Sequence, residues 1–239
     1  MVADWKMRKI EIFENERATG YDQFVERWIP NYHYFMGHLP DLLSDAYPKE
    51  LLVVGCGTGN EIMCFVNSPE RWQITGIDPS PGMIIQAREK LKNRDNVKLI
   101  EGLVTDLAID KKYNAATLLL VLHFIEDNGN KLQILKGIAD RLMPGAKFVI
   151  LDITGDKKQI RDNLEVLKLL LPQGLNEQEI SERLNRIENK FHTVSEERLS
   201  ELLQEAGFEK PLRFFQSSIY MGWITHKKPN PDLHGGSTI

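Results

Sequence analysis

The sequence predicts an α/β fold: a seven-stranded, mostly parallel sheet with a closing antiparallel hairpin and a helical lid. Three observations predict it. Short continuous apolar runs alternate with helix-forming segments, as strands buried on both faces of a parallel sheet require. The last two strand-like runs follow each other with almost no gap, so they pair antiparallel, because parallel neighbours need a long crossover. Between the fifth run and the last helix stands a block, residues 155–193, that is too long for a simple connection.

The elements follow in order. Residues 6–24 are charged and mixed, with a break at Thr19-Gly20. After Ile29-Pro30-Asn31, apolar residues at Tyr32, Phe35, Met36, Leu39, Leu42 and Leu43 recur at helical spacing and predict one helix over 32–43. Leu51-Leu52-Val53-Val54 is the first buried strand and ends at Gly55. A helix begins at Glu61. Residues 73–77 form the second strand, which ends at Asp78. A helix follows over 81–91, with Ser80 placed to cap it and Pro81 at its first position. Strands are expected at 97–100, 115–122 and 146–153, with a helix at 131–142 and a turn at Pro144-Gly145. In the inserted block, Ile160, Leu164, Leu167 and Leu171 share one helical face, and Ile180, Leu184, Ile187 and Phe191 another. These two amphipathic helices are read as a lid over the carboxyl edge of the sheet. A helix over 195–205 stops at Gly207, and strands at 212–217 and 219–225 make the hairpin. The tail from 229 to 239, poor in apolar residues, is expected to be mobile. The organisation expected is a helical cap (1–46), a main domain (47–228) carrying the lid, and the tail.

Composition sets outer limits. No apolar run is long enough to span a bilayer, and no basic start precedes an apolar leader. Cys56 and Cys64 lie too close together for a disulfide framework, so a reduced, cytoplasmic setting is expected. The net charge of −4 disfavours nucleic acid as an obligate partner. No spacing of His, Cys, Asp and Glu suggests a metal site.

The strongest motif is Val54-Gly55-Cys56-Gly57-Thr58-Gly59-Asn60-Glu61. A strand runs into glycines at alternate positions and then a helix, which lets a ligand approach the backbone. About 20 residues on, Asp78 ends a second strand, where an acid accepts both hydroxyls of a ribose. A dinucleotide turn places its third glycine one residue later, where Asn60 stands. That spacing, with the closing hairpin, weighs against an NAD-linked oxidoreductase.

The pattern resembles motif I of the class I methyltransferases, which have a Rossmann-like fold and bind S-adenosylmethionine. Ile77-Asp78-Pro79-Ser80-Pro81-Gly82-Met83, Glu101-Gly102-Leu103-Val104-Thr105-Asp106 and Leu142-Met143-Pro144-Gly145 resemble later landmarks of that family, in order. The resemblance implies that Gly55, Cys56 and Gly57 bind the methionine part and that Asp78 holds the ribose. It implies that Pro79 and Met83 flank the adenine, with Leu103 and Val104 offering it backbone groups. Two positions depart from the family. Val53 stands where an acid usually reaches the cofactor's amino group, a place Glu61 is offered to fill, and Leu103 stands where an Asp often holds the adenine amine.

Ile29-Pro30-Asn31-Tyr32, residues 174–189 and Phe215-Gln216 resemble a narrower group, the methyltransferase-like enzymes that make carboxymethoxyuridine at the tRNA wobble position. Their Tyr reaches the cofactor, which puts Tyr32 over the site. Their lid Arg, which holds a carboxylated cofactor, falls on Leu184, beside Arg183. The resemblance therefore favours ordinary S-adenosylmethionine, with tRNA modification as the alternative and a non-catalytic cofactor-binding protein as a third reading.

Methyl transfer needs a held, in-line nucleophile, and a base only where that nucleophile is protonated. His123, after the fourth strand at the carboxyl edge, is the candidate base; its competing role is a hydrogen-bonded wall residue. Arg183, Arg186 and Lys190, interleaved with Glu182 and Glu188, are read as a solvated face. The function expected is methyl transfer from S-adenosylmethionine to a small-molecule acceptor, and a homodimer is compatible with it.

Overall fold

In the computed structural model, which describes residues 12–13 and 18–229, the sheet forms as expected. Seven strands lie in the order β3-β2-β1-β4-β5-β7-β6. They are β1 (Glu50–Val54), β2 (Gln73–Asp78), β3 (Val97–Glu101), β4 (Tyr113–Leu119), β5 (Leu142–Ile153), β6 (Leu212–Ser217) and β7 (Tyr220–His226). The first five pair in parallel, and β7 runs antiparallel to both β5 and β6. The tail past residue 229 and most of the N-terminal segment lie outside the described residues.

The helices in chain order are α1 (Tyr21–Trp28), α2 (Tyr32–Gly37), α3 (Leu39–Leu42), α4 (Asn60–Val66), α5 (Pro81–Lys90), α6 (Asn130–Ala139), α7 (Lys157–Leu170), α8 (Glu177–Lys190) and α9 (Glu196–Glu205). The period of two in β1 decides what packs where. Leu51 and Val53 face a core shared with Phe35, Ile62 and Ile84 and with Leu164 and Leu184 of the lid. Leu52 and Val54 face the opposite core, built with Leu135, Ile138, Leu202 and Leu203. Both faces of the sheet are therefore covered, and only its carboxyl edge is left for a ligand.

Four expectations need correction. The helix over 32–43 is two pieces broken at His38, because Pro40 brings no N–H to continue the ladder. The fourth strand starts earlier, at Tyr113, and stops at Leu119. There Leu120 takes a left-handed φ of 61°, and the next amides, of Val121 and Leu122, turn onto the Asp152 carboxylate instead of the sheet. Pro144-Gly145 lies within β5, where the register against β4 slips between Tyr113 and Ala115, rather than before the strand. Ser80 precedes α5 as expected but its side chain caps nothing in the helix; its hydroxyl accepts the Phe13 amide at 3.1 Å.

Candidate functional site

The glycine turn leaves β1 at Gly55. That residue has φ of 70°, and a Cβ there would stand 2.4 Å from Val121 Cγ2. Gly55→Ala is expected to combine a left-handed penalty of ~1–2 kcal/mol with that contact. Thermal unfolding should fall by at least about 3 °C; an unchanged melting temperature would remove the steric argument.

Asp78 ends β2 beside this turn and is buried. Its Oδ2 accepts the Gly57 amide at 3.0 Å and its Oδ1 the Ser80 amide at 2.8 Å. Burial lifts its pKa above the ordinary carboxylate value in spite of those amides. Each oxygen keeps a further lone pair, so two hydroxyl donors find two acceptors there.

A cavity of ≈ 350 Å³ opens over the turn. Tyr32, Gly55, Cys56 and Gly57 line it, together with Tyr21, Met36 and Glu61. Tyr32 is buried, and its hydroxyl faces Asn60 Nδ2 at 3.4 Å. Met83 and Val104 are buried, and Pro79 is half-buried next to Asp78. The Leu103 amide donates to Asp106 Oδ2 at 2.8 Å.

α1 is tied onto the turn by a cluster that the sequence reading passed over. Asp22 accepts Thr58 Oγ1 at 2.6 Å, Asn60 Nδ2 at 3.0 Å and Lys90 Nζ at 2.7 Å. Its members come from three separate segments, so no local pattern marks it.

A second cavity of ≈ 440 Å³ adjoins the first, with Tyr21 and Leu120 lining both. His123 lines it and is buried in a 3₁₀ turn after β4. Its Nδ1 lies 2.8 Å from Asp152 Oδ1. Asp152 also accepts the amides of Val121, Leu122, His123 and Ile153. Burial works against its charge, but His123, Lys131 and these amides together hold its pKa below the ordinary value. Lys131 is fully buried behind it, donates to the Leu122 carbonyl at 2.5 Å, and is pushed by burial down to about 8. A carboxylate on Nδ1 leaves Nε2 as the imidazole's free acceptor. Asp152 is the residue the sequence reading missed. It is a lone acid in the apolar run Phe148–Ile153, and that incongruity was a signal.

The lid closes the second cavity with aromatic rings and cations. Phe191 packs on His123 at 4.5 Å between centroids and on Phe124 at 5.2 Å. Arg183 corrects the expectation of a solvated face. Its guanidinium lies 4.3 Å over the Phe24 ring and 5.4 Å from the Trp28 ring, and Nη2 donates to the Tyr220 hydroxyl at 3.2 Å. Its Nε is buried without a partner among the described residues. Arg186 lines the same cavity. His192 is exposed.

A family profile described as a methyltransferase domain matches residues 52–148, from β1 through the first half of β5. Over this stretch the chain is similar to the methyltransferase domain family. Solved methyltransferases share the fold. One is human N-acetylserotonin methyltransferase in complex with its cofactor (TM-score 0.55, 17% identity, covering 88% of this chain and 60% of that one). Another is an S-adenosylmethionine-dependent methyltransferase of Methanosarcina mazei (TM-score 0.56, 18% identity, covering 79% and 98%). Among relatives by sequence is a carboxy-S-adenosyl-L-methionine synthase of Campylobacter curvus, 25% identical over 90% of this chain and 94% of that one. The Helicobacter pylori protein of that name is 28% identical over 82% and 86%.

The residues fit this family's cofactor. The turn is open-backed, Asp78 offers two acceptors to a ribose, and Glu61 is a buried carboxyl group facing the cavity with no cation beside it among the described residues. Among the described residues, no cluster of three or more His, Cys, Asp and Glu is placed to hold a metal, and no helix is long and apolar enough to cross a membrane. Cys56 and Cys64 are free thiols.

Proposed function

We propose that the protein transfers a methyl group from S-adenosylmethionine to a small-molecule acceptor that carries an anionic group. One observation carries the reading: two adjoining cavities, one over the glycine turn, the other lined by His123 and Arg183. Asp78 and the turn backbone hold the cofactor, which supplies an activated methyl group. Arg183 and Arg186 attract the acceptor's anion, and the rings of Phe24, Phe124 and Phe191 take its apolar body. His123 Nε2 accepts the proton of a hydroxyl or amine acceptor, with Asp152 as the positioning residue that fixes the tautomer. The lid and α1 exclude water. Nucleic acid stays outside this reading, on a net charge of −4.

A second reading is that the cofactor itself is modified, as the relatives' name, carboxy-S-adenosyl-L-methionine synthase, describes for them. Arg183 favours it, since it brings beneath the lid the cation that a cofactor-borne carboxylate would need. It does so without any Arg at position 184.

Calorimetric titration tests the common part. S-adenosylmethionine and S-adenosylhomocysteine are expected to bind in the micromolar range, and NADH is not. Asp78→Ala removes two charge-assisted acceptors and should weaken both by on the order of 100-fold. Mass spectrometry of the ligand that copurifies separates the readings: S-adenosylmethionine or its demethylated product supports methyl transfer, and a species heavier by one carboxyl group supports the second. Binding of NADH alone would end both.

A further inference from the structure

Among the described residues, the first cavity has one carboxylic acid in its lining and no basic side chain. Glu61, in the first turn of α4, is 5% exposed. Thr117 Oγ1 on β4 donates to its Oε1, and no other hydrogen bond to its carboxylate is found among the described residues. The groups that face it from the neighbouring elements are Tyr21 of α1, Tyr32 of α2, Cys56 of the turn and Cys64 of its own helix. None of them carries a positive charge. Lys90, which reaches the next residue, Asn60, is already engaged with Asp22 and Thr58 as well. A carboxylate in such a place is costly unless a cation arrives with the ligand. Burial accordingly pushes its pKa up to about 8. Val53, at the strand position to which the resemblance assigns an acid, is buried in the core.

We propose that Glu61 is the binding residue for the ammonium group at the methionine end of the cofactor, supplied from the helix because the strand has none. This rests on S-adenosylmethionine being the ligand. Binding then has a proton consequence. The ammonium draws Glu61 into its charged form, and the carboxyl proton leaves for the buffer. Affinity should therefore rise as pH goes from 6 towards 8, because fewer proteins must first lose that proton.

The experiment is calorimetric titration of wild type and Glu61→Gln with S-adenosylhomocysteine and with 5′-methylthioadenosine. The first carries the ammonium and no sulfonium; the second carries neither. Gln keeps the side chain's shape and an acceptor for Thr117, so the fold is expected to survive. Glu61→Gln should weaken S-adenosylhomocysteine by roughly 10- to 100-fold, the range for a charge-assisted hydrogen bond, and leave 5′-methylthioadenosine within about twofold. Repeating the wild-type titration at pH 7 in buffers of different ionisation enthalpy should reveal proton release, absent in the variant and absent with 5′-methylthioadenosine. Equal S-adenosylhomocysteine affinity in both proteins overturns the proposal, as does an equal loss of both ligands. If wild type binds neither compound, the cofactor reading itself falls and takes this proposal with it.

Discussion

Asp152→Ala is expected to lower the melting temperature of the ligand-free protein by about 6–20 °C. The residue is 2% exposed and accepts five donors, four backbone amides and the His123 ring. Removing it orphans the amides where the chain turns out of β4, and it takes from Lys131 the stronger of its two neighbouring negative charges, leaving only Asp127. Breaking a buried charged pair from one side costs about 3–5 kcal/mol. For a chain of this size each kcal/mol moves the midpoint by about 2–4 °C. Asp152→Asn keeps the volume but sets an amide N–H₂ against donors in either orientation, so most of the loss should remain. The folded pKa is depressed below the value in an unfolded chain, about 3.9. The stabilisation is then complete above pH ~4 and is lost as pH falls through the lower folded value. The gap between wild type and variant should stay open from pH 5 to 8 and narrow in acid. Melting followed by circular dichroism checks this; a gap under about 2 °C at pH 7 would leave Asp152 a bystander.

The strands were legible because burial on both faces demands continuous apolar runs, and Leu51–Val54 or Phe148–Leu151 fits nothing else. The turn was legible because three glycines at alternate positions serve left-handed backbone, which all three adopt. The site's second half was not. His123 was singled out as a candidate by its place after a strand, but its partner lies 29 residues on, and pairing across that distance leaves no periodic trace. Arg183 was misread because a charged helix face looks alike whether it meets water or a ring. What turns it inward is a platform of Phe24 and Trp28, set by a helix some 150 residues earlier in the chain. The length of an arginine side chain lets the cation travel where its Cα does not point.

Glu61→Gln should make the ligand-free protein more stable at pH 8 and leave it nearly unchanged at pH 5. The carboxyl titrates near 4.5 when exposed and at about 8 when folded. Between those values the folded chain holds a proton that the unfolded chain has released, so wild-type stability falls as pH rises through the window and levels off above it. Each unit is worth about 1.4 kcal/mol. By pH 8 the accumulated penalty is roughly 3–5 kcal/mol, and its relief by Gln should raise the midpoint by about 6–20 °C. Thermal melts of both proteins across pH 5–9 decide the matter. A gap that does not change with pH would mean that Glu61 is not a proton-holding acid in the folded chain. Saturating S-adenosylhomocysteine should shrink the gap at pH 8, since the ligand stabilises wild type more than the variant it binds less well. The same carboxyl thus weakens the empty fold and strengthens the filled one. A methionine or leucine at 61 would give the sturdier protein, so the acid carries a stability cost that a cation above it would offset.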